Sequence, residues 1–246
     1  MSLRGIIFDK DGTLMDYYSV WAPVFKNSIL TVLEQVGRPH DKQLEARLLN
    51  LLGIGETGVY SDGLVFKASS TSMLLALYWF AVKNRISFIK LYRSFSEGFH
   101  GSRYLLKEYM EISEPPCDLH LLFSKLKHAG YTIGLVTNDT QDGTNLTLDI
   151  LGIKEYFDFI STYGDHLKNK PSTESFREFC RTHDLKPYEV AVVGDAPVDM
   201  KYGKRAGAGY LVGVLTGSGD SHRLSKLADV VYGSIGNLLE DTVVFY

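Results

Sequence analysis

The segment Asp9-Lys10-Asp11-Gly12-Thr13-Leu14 places two carboxylates two positions apart, directly behind the short apolar run Gly5-Ile6-Ile7-Phe8. A carboxylate held at the end of a rigid strand can attack phosphorus and form an acyl phosphate, which divides one difficult substitution into two easier ones. Asp9 stands where that attack would start. Asp11 could protonate a leaving alkoxide and later take a proton from water, which requires a carboxyl group that cycles between both states. Asp-Gly is also a common turn, so the segment by itself reads equally as a strand that simply stops.

Three more segments have the right chemistry at the right kind of place. Thr137-Asn138-Asp139 follows the apolar run Tyr131 to Val136. A hydroxyl and exposed backbone amides there could hold phosphoryl oxygens, although a helix N-cap explains the same residues better when they are taken alone. Lys170-Pro171 offers an ammonium that could neutralise charge on a transferring group, where a lone lysine is more often a solvated surface charge. Gly194-Asp195-Ala196-Pro197-Val198-Asp199 follows a run ending at Val193. Two carboxylates at a strand end suit a hard cation such as Mg²⁺, which keeps several waters and needs few protein oxygens. A plain turn accounts for them less well, because two acids at a buried sheet edge repel without a counter-ion.

These residues need a scaffold. Gly5 to Phe8 is a nearly continuous apolar run, as expected of a strand buried on both faces. Similar runs recur at Tyr131 to Val136, Glu189 to Val193, Tyr210 to Val214 and Asp229 to Tyr232, separated by helix-like stretches, two of which close on Gly152 and Gly207. This alternation predicts an α/β fold with a doubly wound parallel sheet, a Rossmann-like core. In such sheets ligands sit beyond the carboxyl ends of the strands, so the four segments would converge. Between the first two strands the texture changes. Trp21, Phe25, Ile29, Val32 and Val36 recur at helical spacing, followed by Leu44 to Leu52, Met73 to Val82 and Phe88 to Met110. We read residues 17–112 as an inserted α-helical cap domain and residues 1–16 with 113–246 as the core, the return marked by Pro115-Pro116. Gly53 to Gly63, with Ser61-Asp62, is expected to be a loop between cap helices. A lid that excludes water and judges the leaving group is one use for it, a mere connection the other.

Composition narrows the partners. Apolar residues make up 45% and charged residues 22%, with 26 Lys and Arg against 29 Asp and Glu, a formal charge of −3. That is ordinary globular composition and argues against nucleic acid recruited by bulk basicity. The apolar run Met73 to Val82 is about half of what a bilayer-spanning helix needs, so no membrane partner is expected. Cys117 and Cys180 show neither a disulfide framework nor a thiolate metal site, which fits a reducing cytoplasm. The seven histidines lack ligand spacing. Tyr78, Trp79, Phe80, Phe88, Tyr92, Phe95 and Phe99 read as cap core, and Gly217-Ser218-Gly219-Asp220 as a surface loop without the context of a phosphate cradle. Oligomeric state has no signature here.

Taken together and in this order, Asp9-x-Asp11-Gly12-Thr13-Leu14, Thr137-Asn138, Lys170-Pro171 and Gly194-Asp195 with Asp199 resemble the haloacid dehalogenase-like hydrolase superfamily. The likeness extends over the whole chain, with the insertion where the phosphoglycolate phosphatase and β-phosphoglucomutase-like branch carries a helical cap. The resemblance implies that Asp9 is the nucleophile and Asp11 the acid/base. It places Asp9, Asp195 and the Asp11 backbone carbonyl on Mg²⁺, Thr137, Asn138 and Lys170 on phosphate, and Asp199 in support of the metal and Lys170. Lys10 makes the segment similar to the phosphorylated site of P-type ATPases, but Asp11 stands where those pumps have threonine, and true dehalogenases lack the second aspartate. Tyr17 and Tyr18 replace the serine common after the aspartate matching Asp16. The resemblance therefore implies a Mg²⁺-dependent phosphatase acting on a small phosphorylated metabolite. The alternatives are a phosphosugar mutase using the same aspartyl phosphate, and a non-catalytic phospholigand-binding protein.

Overall fold

The structure is a computed structural model that describes residues 2–56, 58–60, 63–67, 70–102, 104–217 and 220–240. Residues 57 and 61–62 of the Gly53 to Gly63 loop, and 218–219 of the Gly217 to Asp220 segment, lie outside the described residues. The chain runs β1 (Gly5–Phe8), α1 (Tyr17–Gln35), α2 (Lys42–Leu52), α3 (Leu64–Lys67), α4 (Ser70–Asn84), α5 (Phe88–Ser102), α6 (Tyr104–Ile112), α7 (Leu119–His128) and β2 (Thr132–Thr140). It continues with α8 (Gln141–Leu151), β3 (Phe159–Tyr163), α9 (Glu174–Thr182), β4 (Val190–Gly194), α10 (Pro197–Ala206), β5 (Tyr210–Val214), α11 (Ser221–Leu224) and β6 (Val230–Tyr232). Contacts divide it into two compact units, Met1–Tyr17 with Ser113–Tyr246, and Tyr18–Ile112.

In the first unit six strands form a parallel sheet in the order β3-β2-β1-β4-β5-β6, a doubly wound α/β fold with β1 at its centre. Successive side chains on a strand point to opposite faces, and the two cores follow that rule. Ile6 and Phe8 pack with Leu122, Phe123 and Leu126 of α7 on one face, while Ile7 packs with Phe176 and Phe179 of α9 and Met200 and Tyr202 of α10 on the other. Each such side chain taken from water contributes about 1.5–3 kcal/mol, which is why the central strand needs no polar residue. The helix ends are marked locally: Thr140 accepts from the Gly143 amide at the start of α8, and Gly152 ends that helix at φ +63°.

Two strands differ from expectation. β3 has no counterpart among the apolar runs of the sequence, because Phe-Ile-Ser-Thr-Tyr is an edge strand of mixed polarity. β2 runs past Val136 to Thr140, so Thr137 to Asp139 lie inside the strand. They do so across an irregularity, since Val136 pairs with Ser161 but Thr140 with Tyr163, four residues of β2 against two of β3.

The helical unit has its own core. Trp21, Phe25 and Phe99 stack at centroid distances of 5.6–6.2 Å, and Leu44, Leu48 and Leu52 of α2 are buried. The described part of the Gly53 to Gly63 segment is built rather than loose: Ile54 bridges Val59, the Gly55 amide donates to the Gly58 carbonyl at 2.8 Å, and the Tyr18 hydroxyl donates to the Gly55 and Glu56 carbonyls. The expected aromatic core is only partly there. Tyr78, Trp79 and Tyr92 face solvent, because Leu77, Ala81 and Leu91 take the inward positions of α4 and α5.

Candidate active site

Asp9 is delivered by β1, whose last register pair, Phe8 with Val193, is followed by a bond from the Asp9 amide to the Val193 carbonyl at 2.9 Å. The chain then turns sharply at Gly12, φ +79°, a left-handed conformation that favours glycine. A Cβ at Gly12 would stand 2.8 Å from the Asp195 carboxyl carbon, and one at Gly217 would stand 2.2 Å from Asp195 Oδ2. The two glycines leave the room that Asp195 occupies.

Lys170 joins distant parts of the chain. Its Nζ lies 2.5 Å from Asp9 Oδ1 and 2.6 Å from Asp199 Oδ1, with 3% of its side chain exposed. Burial by itself would depress the lysine, but Asp199 and Asp9 outweigh it and raise its pKa far above the ordinary value, so it is a fixed cation. Burial raises Asp9, opposed by Lys170 and assisted by Asp199. Asp199 stands in the first turn of α10 and accepts from the Ala196 amide at 3.0 Å, which fixes its carboxylate as the helix cap. Asp9, Asp195 and Asp199 bring carboxylate oxygens within 4.8 Å of one another.

The residues expected to hold phosphate gather only in part. Asn138 is exposed and donates from Nδ2 to the Lys170 carbonyl at 3.2 Å. Thr137 is buried, and its Oγ1 accepts from the Asp139 amide at 3.1 Å. The helix cap belongs to Thr140, so capping is not what Thr137 does. Lys168 carries no such geometry: it is 80% exposed and pairs with Glu174. Neither Ser172 nor Thr173 gives α9 a strong cap. Thr173 makes no side-chain cap bond, and Ser172 Oγ accepts from the Glu174 amide at 3.4 Å.

Sequence reasoning gives Lys10 a likeness to the P-type ATPase segment but no role in the site. Its ammonium is completely buried, 2.8 Å from Asp11 Oδ1, 3.1 Å from Asp139 Oδ2 and 3.3 Å from Thr147 Oγ1. Burial would lower it, yet Asp11 and Asp139 together raise it, so it too stays charged. The Asp11 side chain is thereby turned toward Lys10 and is not one of the three clustered carboxylates. Tyr17, whose hydroxyl is pushed well up by burial and then by Asp11, Asp195 and Asp139, lies within electrostatic reach of the same carboxylates. A signal for Lys10 was present: lysine is almost never fully buried unless paired, and a strand-end lysine flanked by two aspartates has pairing at hand.

The three clustered carboxylates are nearly enclosed, and all the donors are hard oxygens. That donor set fits Mg²⁺. Asp9, Asp195 and Asp199 are the side chains that would hold it.

A doubly wound sheet with an aspartate at the end of its central strand, a buried lysine on that aspartate and an acidic cluster beside it defines a class of hydrolytic enzyme. The chain belongs to the haloacid dehalogenase-like hydrolase family, whose profile matches residues 3–207. It is a hydrolase of the phosphatase type. It is 28% identical over 209 residues to PpaX of Clostridium perfringens, a protein carrying the name of a pyrophosphatase, across 84% of this chain and 81% of that one. Among solved structures it resembles one from Haemophilus somnus described as a predicted phosphoglycolate phosphatase, with TM-score 0.70, 22% identity and coverage of 98% and 99%. It also resembles β-phosphoglucomutase of Clostridium difficile, with TM-score 0.58, 20% identity and coverage of 96% and 93%. At those identities the two structures speak for the fold alone.

Proposed function

We propose that the chain is a Mg²⁺-dependent phosphatase of small phosphate monoesters that works through an aspartyl phosphate on Asp9. The observation that carries this reading is the Asp9 carboxylate gripped at 2.5 Å by Lys170, itself 2.6 Å from Asp199. In the first step an Asp9 oxygen bonds to phosphorus and the phosphorus–oxygen bond to the organic group breaks, the departing alkoxide taking a proton from Asp11. In the second, water attacks the same phosphorus, Asp11 takes its proton, and the bond to Asp9 breaks to release inorganic phosphate. Lys170 fixes the rotation of Asp9 and meets charge on the transferring oxygens, and Thr137 and Asn138 are assigned to the same oxygens. Lys10 fixes the rotation of the Asp11 carboxylate through its contact at 2.8 Å. Bound Mg²⁺ supplies positive charge that offsets the carboxylates and the phosphoryl group.

The leaving group is assigned to the helical unit, where a cleft of about 690 Å³ is lined by Lys26, Lys42, Asn50, Glu56 and Tyr60 among others. Its two lysines are matched by Glu45 and Glu56, with Lys42 on Glu45 at 2.8 Å, so the lining is polar and mixed in charge. Two free, partly or fully buried thiols, both raised to about 11 by burial, fit a reducing cytoplasm.

Phosphate release from a panel of phosphorylated metabolites, with inorganic pyrophosphate included because of PpaX, tests the reading. Hydrolysis that EDTA silences and Mg²⁺ restores supports it. Isomer formation that needs a sugar bisphosphate, without phosphate release, replaces it by the mutase. Tight binding without turnover of any substrate replaces it by a phospholigand-binding protein.

A further inference from the structure

The second unit has an outward face that hydrolysis does not use. Along α4, Leu75, Tyr78, Trp79 and Val82 recur at the i, i+3, i+4, i+7 spacing of one helix stripe, and all are exposed, Trp79 by 61%. The face continues onto α5. Tyr78 packs edge-on against Trp79 at 5.6 Å between ring centroids and against Phe88 at 5.7 Å, and Phe88 lies 6.1 Å from Tyr92. Ile89 is 68% exposed. Surface helices normally present charges on such a stripe, yet Lys83 is the one charged residue in α4. Together these side chains expose on the order of 600 Å², the upper end for an apolar patch on a soluble monomer.

Along α4 and the first turns of α5 the charge has a single sign. From Gly63 to Ser96 the sequence contains no Asp or Glu but carries Lys67, Lys83, Arg85, Lys90 and Arg93, in a chain whose formal charge is −3. Lys83, Arg85, Lys90 and Arg93 are exposed at and around the turn between α4 and α5. Glu97, one turn beyond Arg93, stands 4.0 Å from it.

We propose that the α4–α5 face docks on an anionic lipid bilayer, lying in its interface with Leu75, Trp79, Val82 and Ile89 toward the acyl chains and the four exposed cations against headgroup phosphates. Trp and Tyr rings favour that depth, and Lys and Arg beside an apolar face add attraction to anionic lipid. A second copy of the chain fits less well, because Gly63 to Ser96 of each copy would bring cations and no acid to the seam. The sequence-based expectation of no membrane partner rested on the length needed to span a bilayer. Lying in an interface requires only one apolar face.

Co-sedimentation of the full chain with vesicles of phosphatidylcholine alone, and of phosphatidylcholine with phosphatidylglycerol, tests the proposal. Binding is expected to the anionic vesicles only, to fall with added salt, and to shift tryptophan emission to the blue. Trp21 is 7% exposed, so Trp21→Phe should keep the shift, which belongs to Trp79. The pair Lys83→Ala and Lys90→Ala should weaken partitioning about tenfold or more, and the pair Trp79→Ser and Ile89→Ser should weaken it by at least as much. Both double variants should still hydrolyse p-nitrophenyl phosphate in solution, which shows that they fold. Lack of binding to anionic vesicles at low salt, binding unchanged in both variants, or a dimer in light scattering that Trp79→Ser and Ile89→Ser dissociate would each overturn it.

Discussion

Two buried lysines divide the work among five carboxylates: Lys170 serves Asp9 and Asp199, next to Asp195, and Lys10 serves Asp11 and Asp139. Removing either lysine strands buried charge, but the consequences should differ. Lys170→Ala deletes the donor proposed to meet the transferring group, so kcat should fall roughly 10²–10³-fold. Lys168→Ala, which loses only an exposed pair with Glu174, should leave kcat near that of the parent chain. Steady-state kinetics of both variants checks this, and a crippled Lys168→Ala beside a healthy Lys170→Ala would mean that the wrong lysine has been assigned. Lys10→Met should cost about 3–5 kcal/mol of stability, because it leaves Asp11 and Asp139 without their shared cation. Adding Asp139→Asn should return part of that loss. Denaturant melts of the two single variants and the double variant measure the coupling, and strict additivity would remove Lys10 from the network. The residue types of this site were readable in the chain, since acids at strand ends have few uses. The partner of each lysine was not, because Lys170 and Asp9 are 161 residues apart and only the sheet order brings them together.

At the scale of elements, the site depends on how closely α10 approaches the end of β4. Gly194 has no Cβ, and one placed there would lie 2.5 Å from Asp199 Cβ, against the first turn of the helix. Gly194→Ala should therefore push Asp199 away from Lys170, destabilise the fold by about 1–3 kcal/mol and lower kcat. Paired thermal melts and kinetics check both halves, and a stable, fully active variant would contradict the packing described. The same scale shows which strands a sequence announces. β1, β4 and β5 are central or flanked and read as unbroken apolar runs. β3 lies at the edge, with Ser161 and Thr162 buried among half-exposed neighbours, so neither apolar continuity nor clean alternation marks it. The extension of β2 through Thr137 to Asp139 depends on a register shift against β3, which is a property of the pair and not of either segment. In the helical unit, spacing predicted helices correctly but not which side of α4 faces inward, since that helix is apolar nearly all round.

For the whole molecule, the proposed mechanism gives phosphate, metal and proton transfers to the core motifs and leaves the choice of leaving group to the inserted helices. The Tyr18 hydroxyl holds the loop after α2 through the Gly55 and Glu56 carbonyls. On the proposed assignment of the leaving group to this unit, Tyr18→Phe should cost the best metabolite far more kcat/KM than it costs p-nitrophenyl phosphate. Equal losses for both substrates would take this loop out of substrate choice. All of this presupposes that phosphate passes through the protein on its way to water. Rapid quenching of the intact enzyme during turnover of a labelled substrate, followed by mapping of the labelled peptide, measures that directly. We expect label on the Asp9 carboxylate, formed and lost at rates compatible with kcat, and none in Asp9→Asn, which should also be inactive. Label on another residue, or steady turnover by Asp9→Asn, would contradict the mechanism.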